Sequence, residues 1–397
     1  MLTPAASTAL RLAFFYAAMF STIGVFLPYW PIWLESRGLN AAEIGLIIGA
    51  SFWPRVVTSL MIPNTADRLG KRRLAMTILT ALTFLGLIAF GLVRDFWLFM
   101  LLSLVTGAIW ASILPLGEAI SLNQASRHGL DYGRVRLWGS ITFILMSLGG
   151  GYALEFAGAD IIYIMILTTT GITFVACLTM PEIDQRSSSV DKPSLSRLFR
   201  RKELWQVVIA TAMIQASHAL IYGFGTIHWR AAGHSDATIG WLWAEGVVAE
   251  VLLFMGGARL ISSMSHGRLI VIAGSLTVIR WLMTGMSASL PVLVLAQALH
   301  AASFALTFLA TLHYLRDTTP PELQASAQGF YTAIGFAPLF GVITPLSGWL
   351  YGTIEGAAFF VMAVLAGAGT LLAVTLPPAS ASGLVQSHGS HGTETNH

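Results

Sequence analysis

Five ionisable side chains stand inside apolar stretches long enough to cross a membrane: Arg55, Glu118, Glu250, Arg280 and His300. A charge in hydrocarbon costs roughly 2.5–3.5 kcal/mol on insertion scales, so such residues turn toward a polar interior or a cavity between helices. The residue types suit particular tasks. A planar guanidinium grips a carboxylate or paired hydroxyls. A buried carboxylate beside an imidazole can take up and release a proton. The set points to passage of a small solute between helices.

The elements that must position these groups follow from composition. The chain has 397 residues, 55% hydrophobic and 10% charged, where a soluble domain carries about 25% charged residues. The bilayer is therefore its solvent. A span needs about 20 apolar residues. Twelve runs qualify: 11–34, 42–62, 74–93, 97–121, 137–156, 160–180, 204–227, 237–262, 268–288, 290–315, 327–350 and 356–376. The first has no small-residue cleavage site and continues into Pro28-Tyr29-Trp30-Pro31, so it is expected as a retained helix and not a signal peptide. Cys177 is the only cysteine, which leaves the fold to packing.

The net charge of +3 is no nucleic-acid signature, because the positives are sorted by side. Even-numbered connections hold Arg68, Lys71, Arg72 and Arg73, then Arg127, Arg134 and Arg136, then a cluster from Arg186 to Lys202, then Arg259, Arg268 and Arg316. Odd-numbered connections hold Arg37, Arg94 and Arg230. The positive-inside rule places both termini and the even loops in the cytoplasm. A multi-pass protein of a bacterial inner membrane is expected.

A polar stretch divides the spans six and six. The expected organisation is a six-helix bundle over 1–181, a cytoplasmic linker over 182–203, a second bundle over 204–377 and a disordered tail over 378–397. Two bundles joined by a polar linker can rock about a site at their interface. Gly and Pro interrupt several spans, at Pro28, Pro31, Pro54, Pro115, Pro338 and Pro345. These mark either bending points or close packing through small residues.

Two loops carry a resemblance. Asp67-Arg68-Leu69-Gly70-Lys71-Arg72-Arg73 resembles the cytoplasmic loop motif of the major facilitator superfamily, with Pro63 where the motif's first glycine stands. Asp131-Tyr132-Gly133-Arg134-Val135-Arg136-Leu137-Trp138-Gly139 is similar to the start of the fifth helix of the proton-coupled lactose and oligosaccharide permeases. It looks closer to the phenylpropionate permease family, as do Gly24–Leu34, His218–Phe224 and Gly246–Val251. The resemblance runs from about residue 10 to 376. It implies an all-α major facilitator fold of twelve transmembrane helices in two bundles, with Asp67, Arg68, Gly70, Lys71 and Arg72 as a loop that favours one conformation. Plain positive-inside anchoring is the alternative for that loop.

Glu118 and Arg136 lie on a consecutive antiparallel pair and could meet. The resemblance implies a ligand-binding pair; a structural ion pair is the alternative. Arg280 and His300 match positions that serve proton coupling in the sugar permeases, where a carboxylate follows the histidine by three residues. Here that residue is Ser303, which cannot hold the transported proton. Glu250 is the substitute candidate, with Arg280 either cycling against it or acting as its permanent counter-ion. Glu245 stands about 140° from Glu250 on an ideal helix and ranks below it. Gln297, His300, Thr307 and Thr311 form one polar stripe, and Gln215, His218 and Tyr222 another; stripes of this kind suggest cavity lining. Arg55, which the sugar permeases lack, tilts the balance toward an anion.

The expected function is proton symport of an aromatic monocarboxylate such as 3-phenylpropionate. Arg136, Glu118, Arg55, His218, Tyr222 and Gln297 would bind it, and Glu250, Arg280 and His300 would couple the proton. No metal set or cofactor fingerprint is present, and a monomer with small-molecule, proton and lipid partners is expected. The alternatives are symport of a sugar or nucleoside and, from another class, an integral-membrane enzyme. The enzyme would need a nucleophile or metal cluster that the sequence does not offer.

Overall fold

A computed structural model describes residues 3–182, 201–257, 263–319 and 323–377. The expected linker (182–203) and tail (378–397) fall almost wholly outside them. Among the described residues the secondary structure is helical, with no strand.

Eleven stretches are long and apolar enough to cross a bilayer. We number the spans α1 (Pro4–Ser36), α2 (Ala41–Ala66), α3 (Arg72–Leu92), α4 (Phe96–His128), α5 (Tyr132–Ala157), α6 (Asp160–Thr179), α7 (Lys202–Ala231), α8 (Asp236–Gly256), α9 (His266–Met286) and α10 (Leu290–Thr318). The eleventh stretch, Ala327–Val374, has 48 residues, more than twice what one crossing needs. It breaks at Glu355, where φ is +48°, into α11 (ending with Ala337–Ile354) and α12 (Ala358–Val374). The layout agrees with twelve crossings.

Local chemistry sets the helix ends. The Asn40 side chain accepts from Glu43 N at 3.0 Å while Glu43 Oε2 accepts from Asn40 N at 2.9 Å, a reciprocal cap that starts α2. Gly70 takes φ +64° and Lys71 N donates back to Ala66 O at 3.1 Å, so the loop-motif glycine has a conformational reason to be there. The side chain of Asp67 lies outside the described set.

Several spans are discontinuous. α2 is interrupted at 51–54, ahead of Arg55; α4 at 111–112; α7 at 217–218. α10 carries a π-helical segment, Ala301–Leu306, directly after His300. Pro54 lacks an N–H and so cannot continue the ladder in α2. Such breaks survive in membranes where protein or a cavity satisfies the freed groups.

The first six and last six spans meet along three seams, tightest near the odd-numbered connections. Between α1 and α7, Thr226 Oγ1 donates to Pro28 O at 2.6 Å. Between α5 and α8, Ala237 N donates to Glu155 Oε2 at 3.0 Å, and a Cβ on Gly240 would stand 2.8 Å from Ser147 O. Between α2 and α11, a Cβ on Gly45 would stand 2.9 Å from Gly348 Cα. Small residues let backbones approach this closely.

Candidate substrate cavity and buried arginine cluster

A cavity of about 430 Å³ lies among α1, α2, α3, α4 and α6, closed by Tyr222 of α7 and Phe340 and Thr344 of α11. Its wall is mostly apolar and aromatic, with Phe26, Trp30, Phe52, Phe90, Tyr222 and Phe340. Arg55 is the charged residue in the lining. Its guanidinium lies over the Phe52 ring at 4.3 Å. Nε donates to Ser51 O at 3.0 Å and Nη2 to Ser51 Oγ at 3.3 Å, one turn back. No Asp or Glu oxygen among the described residues comes within 4.0 Å of it. A cation held by its own helix and an aromatic face retains capacity for an anion.

The second arginine is in the opposite condition. Arg280 of α9 is 1% exposed. Its Nη1 donates to His300 Nδ1 at 3.0 Å and to Ser303 Oγ at 2.9 Å, and its Nη2 donates to Gln297 Oε1 at 2.7 Å. A guanidinium only donates, so His300 Nδ1 accepts and the ring carries its proton on Nε2. That Nε2 donates to Glu250 Oε1 at 2.8 Å. The direction of the second branch follows likewise. His218 Nδ1 faces the carbonyls of Gln215 at 3.1 Å and Ile214 at 3.3 Å, so it donates and Nε2 accepts from Ser303 Oγ at 3.1 Å. Two directed chains leave one guanidinium. One runs through His300 to Glu250, the other through Ser303 to His218.

Several sequence expectations resolve here. Glu250 and Arg280 form no direct ion pair; His300 stands between them. Glu118 and Arg136 make no direct ion pair within 4.0 Å, so the structural ion-pair alternative is absent, while the two still lie near enough to interact electrostatically. The Arg136 guanidinium lies 4.1 Å over Phe20 and 5.2 Å from the Tyr16 ring centroid. Neither Glu118 nor Arg136 lines the cavity. Gln297 has both ends engaged, its Nε2 donating to Leu242 O at 2.9 Å. With His218 it belongs to the arginine cluster and not to the cavity wall. Ser303, set aside in the sequence for lacking a charge, joins the two chains. Tyr222 connects the regions: it lines the cavity, and its ring lies 5.9 Å from His218 and 6.5 Å from His300 between centroids.

A sequence model of the MFS_1 like family matches residues 9–362. The chain belongs to that family. Among relatives of this MFS_1 like protein, a probable 3-phenylpropionic acid transporter of Escherichia coli (strain K12) is 31% identical over 89% of this chain and 94% of its own length. A maltose permease of Geobacillus stearothermophilus is 25% identical over 81% and 82%. In structure, the nucleoside transporter NupG superposes with a TM-score of 0.78 at 18% identity, covering 93% of this chain and 98% of that one. A bacterial homologue of the lysosomal transporter Spinster, in an inward-facing unoccupied conformation, gives 0.69. The MFS_1 like protein is a multi-pass membrane transporter of the major facilitator superfamily and not an enzyme.

Proposed function

We propose that this transporter carries an aromatic monocarboxylate, such as 3-phenylpropionate, into the cell together with a proton. The observation that carries the reading is Arg55: a guanidinium without an acidic partner, in an aromatic cavity of about 430 Å³. Its free donors suit a carboxylate, and the aromatic wall suits an aryl ring. A sugar would leave most of its hydroxyls facing apolar side chains, an unfavourable arrangement. The probable function of the 31% identical relative supports the same choice.

In this reading Glu250 carries the proton. His300 and Arg280 set its surroundings, since the His300 N–H bonds the charged carboxylate and loses strength when Glu250 is protonated. Tyr222 relays occupancy of the cavity to that cluster. The bundles over 1–181 and 204–377 rock about the cavity, with the loop from Asp67 to Arg72 biasing one state. In this reading the protein works as a monomer in a bacterial inner membrane, and its charge asymmetry supports cytoplasmic termini. On that orientation the tight seams fall at the outer ends, which supports a state closed to the outside.

Uptake of labelled 3-phenylpropionate by energised cells tests the proposal. Accumulation above an empty-vector control, abolished by a protonophore and by Arg55→Ala, is expected. Absence of uptake, or inhibition by disaccharides instead of aryl acids, overturns it.

A further inference from the structure

One face of α8 runs along α10, and residues one turn apart on that face make the contact. Positions four apart stand one above the other on a helix. Leu242 O accepts from Gln297 Nε2 at 2.9 Å, and Glu250 Oε1 accepts from His300 Nε2 at 2.8 Å. Between them stands Gly246, buried in the middle of a helix of 21 residues. A Cβ there would lie 3.2 Å from His300 Cδ2, 3.5 Å from its Cγ and 3.6 Å from Gln297 Nε2. Carbon atoms rest at about 3.5–4.0 Å from one another, so a methyl at this position would press on the ring.

The backbone does not ask for glycine here. Gly246 has no left-handed φ, and a helix interior favours alanine over glycine. The other glycines of α8 differ from it. A Cβ on Gly240 would meet backbone of α5, Ser147 O at 2.8 Å, and a Cβ on Gly256 would have no described atom within 4 Å. At Gly246 the nearest atoms are side chains of the buried arginine cluster. The His300 ring has little freedom to yield. Its Nδ1 accepts from Arg280 Nη1 at 3.0 Å, its Nε2 donates to Glu250, and the Phe304 ring lies along it, 5.5 Å away between centroids and tilted by 14°. Cδ2 is bonded to Nε2, so a push on Cδ2 displaces the atom that reaches Glu250.

We propose that Gly246 is a positioning residue for proton coupling: its missing side chain lets the His300 ring bond Arg280 and Glu250 at the same time. This rests on Glu250 being the proton carrier. Gly246 lies outside the cavity wall, so its part is in coupling and not in recognition of the cargo.

The test follows labelled 3-phenylpropionate and alkalinisation of the medium together, in cells expressing the full chain, with membrane levels checked by immunoblot. The readout is the number of protons entering per molecule of substrate. General damage to the carrier lowers both fluxes and keeps their ratio. Gly246→Ala should lower the ratio and leave exchange of labelled for unlabelled substrate running. Accumulation should fall about tenfold, the low end for loss of a hydrogen bond to a charged group. Gly256→Ala should match the wild type. In a His300→Gln background, whose flexible amide gives way to a methyl, adding Gly246→Ala should change neither the ratio nor the membrane level. A wild-type ratio in Gly246→Ala, or a loss as large in the His300→Gln background as in the wild type, overturns the positioning role and leaves Glu250 as the carrier. If Gly246→Ala is missing from the membrane, His300→Gln must restore it, or the assignment falls. Absence of uptake in the wild type, or an unchanged ratio in Glu250→Gln, overturns the reading on which the assignment rests.

Discussion

Of the arginines within the spans, Arg280 and the cavity-lining Arg55 have surroundings that differ in kind. Arg280 has three side-chain acceptors, each 2.7–3.0 Å away, and each acceptor is committed further on. Arg55 bonds to one neighbour on its own helix and to the face of a phenylalanine. Desolvation makes an unsatisfied charge expensive. The first arginine meets most of that cost within the protein, only its Nε lacking a partner among the described residues, and it orients everything bonded to it. The second leaves part of the cost to be met by what enters the cavity. Buried charge alone therefore does not identify a binding group; in the proposed reading what matters is whether the spare donors border a cavity, as at Arg55, or are enclosed by protein, as at Arg280 Nε.

The largest expected effect breaks the satisfied member of the comparison. Arg280→Ala leaves Gln297, Ser303 and His300 without their shared donor. We expect loss of uptake and a destabilisation of about 3–5 kcal/mol, the usual cost of opening a buried charged network, read as a lowered thermal midpoint in detergent. Arg55→Ala should separate function from stability. Loss of about two charge-assisted hydrogen bonds to a carboxylate reduces kcat/KM about 100-fold, while the thermal midpoint stays within a few degrees, because the arginine braces no other helix. An equal fall in stability for both variants would erase the distinction drawn here.

Glu250→Gln sharpens the comparison on the proton side. It keeps an acceptor for His300 Nε2 but cannot ionise. Accumulation against a gradient should cease at every pH between 5 and 8, while exchange of labelled for unlabelled substrate across the membrane continues. Loss of exchange as well would make Glu250 a binding group. The smallest effect is expected at Ser303→Ala, which cuts the branch from Arg280 to His218 and leaves the branch to Glu250. A cost of about 1 kcal/mol in stability with proton coupling intact is the expected outcome, measured by thermal unfolding and by protonophore sensitivity.

Much of this was legible in residue types. The spans follow from hydropathy, and the two arginine environments were foreshadowed by composition: Gln297, His300 and Ser303 share the helix that faces Arg280, while the one acid on Arg55's span, Glu43, stands about three turns away and caps the helix start. Whether Glu118 and Arg136 touch directly was not legible. Adjacency in the chain makes α4 and α5 neighbours, but helix rotation decides which side chains meet, and Phe20 and Tyr16 of α1 occupy the face of Arg136. The roles of His218 and Gln297 were hidden for the same reason. Their helical stripes are real, yet a stripe lining a cavity and one lining a polar cluster have the same periodicity. The place of Gly246 left no trace in the sequence, where it is one of three glycines along α8 and only the atoms facing each one tell them apart.

The glycine-lined seams have a mechanical consequence. Where Gly45 meets Gly348 and Gly240 meets Ser147, backbone lies on backbone. No knob is seated in a hole there, and no rotamer has to change for the two surfaces to part. Such a joint can part without side chains repacking, but the hydrogen bonds from Thr226 to Pro28 and from Ala237 to Glu155 across the same face of the molecule must break as it does so. In the proposed cycle the remaining barrier resides in the groups that exchange partners, Arg55 with an anion and Glu250 with a proton, so that a half-loaded carrier is held back by its own charge.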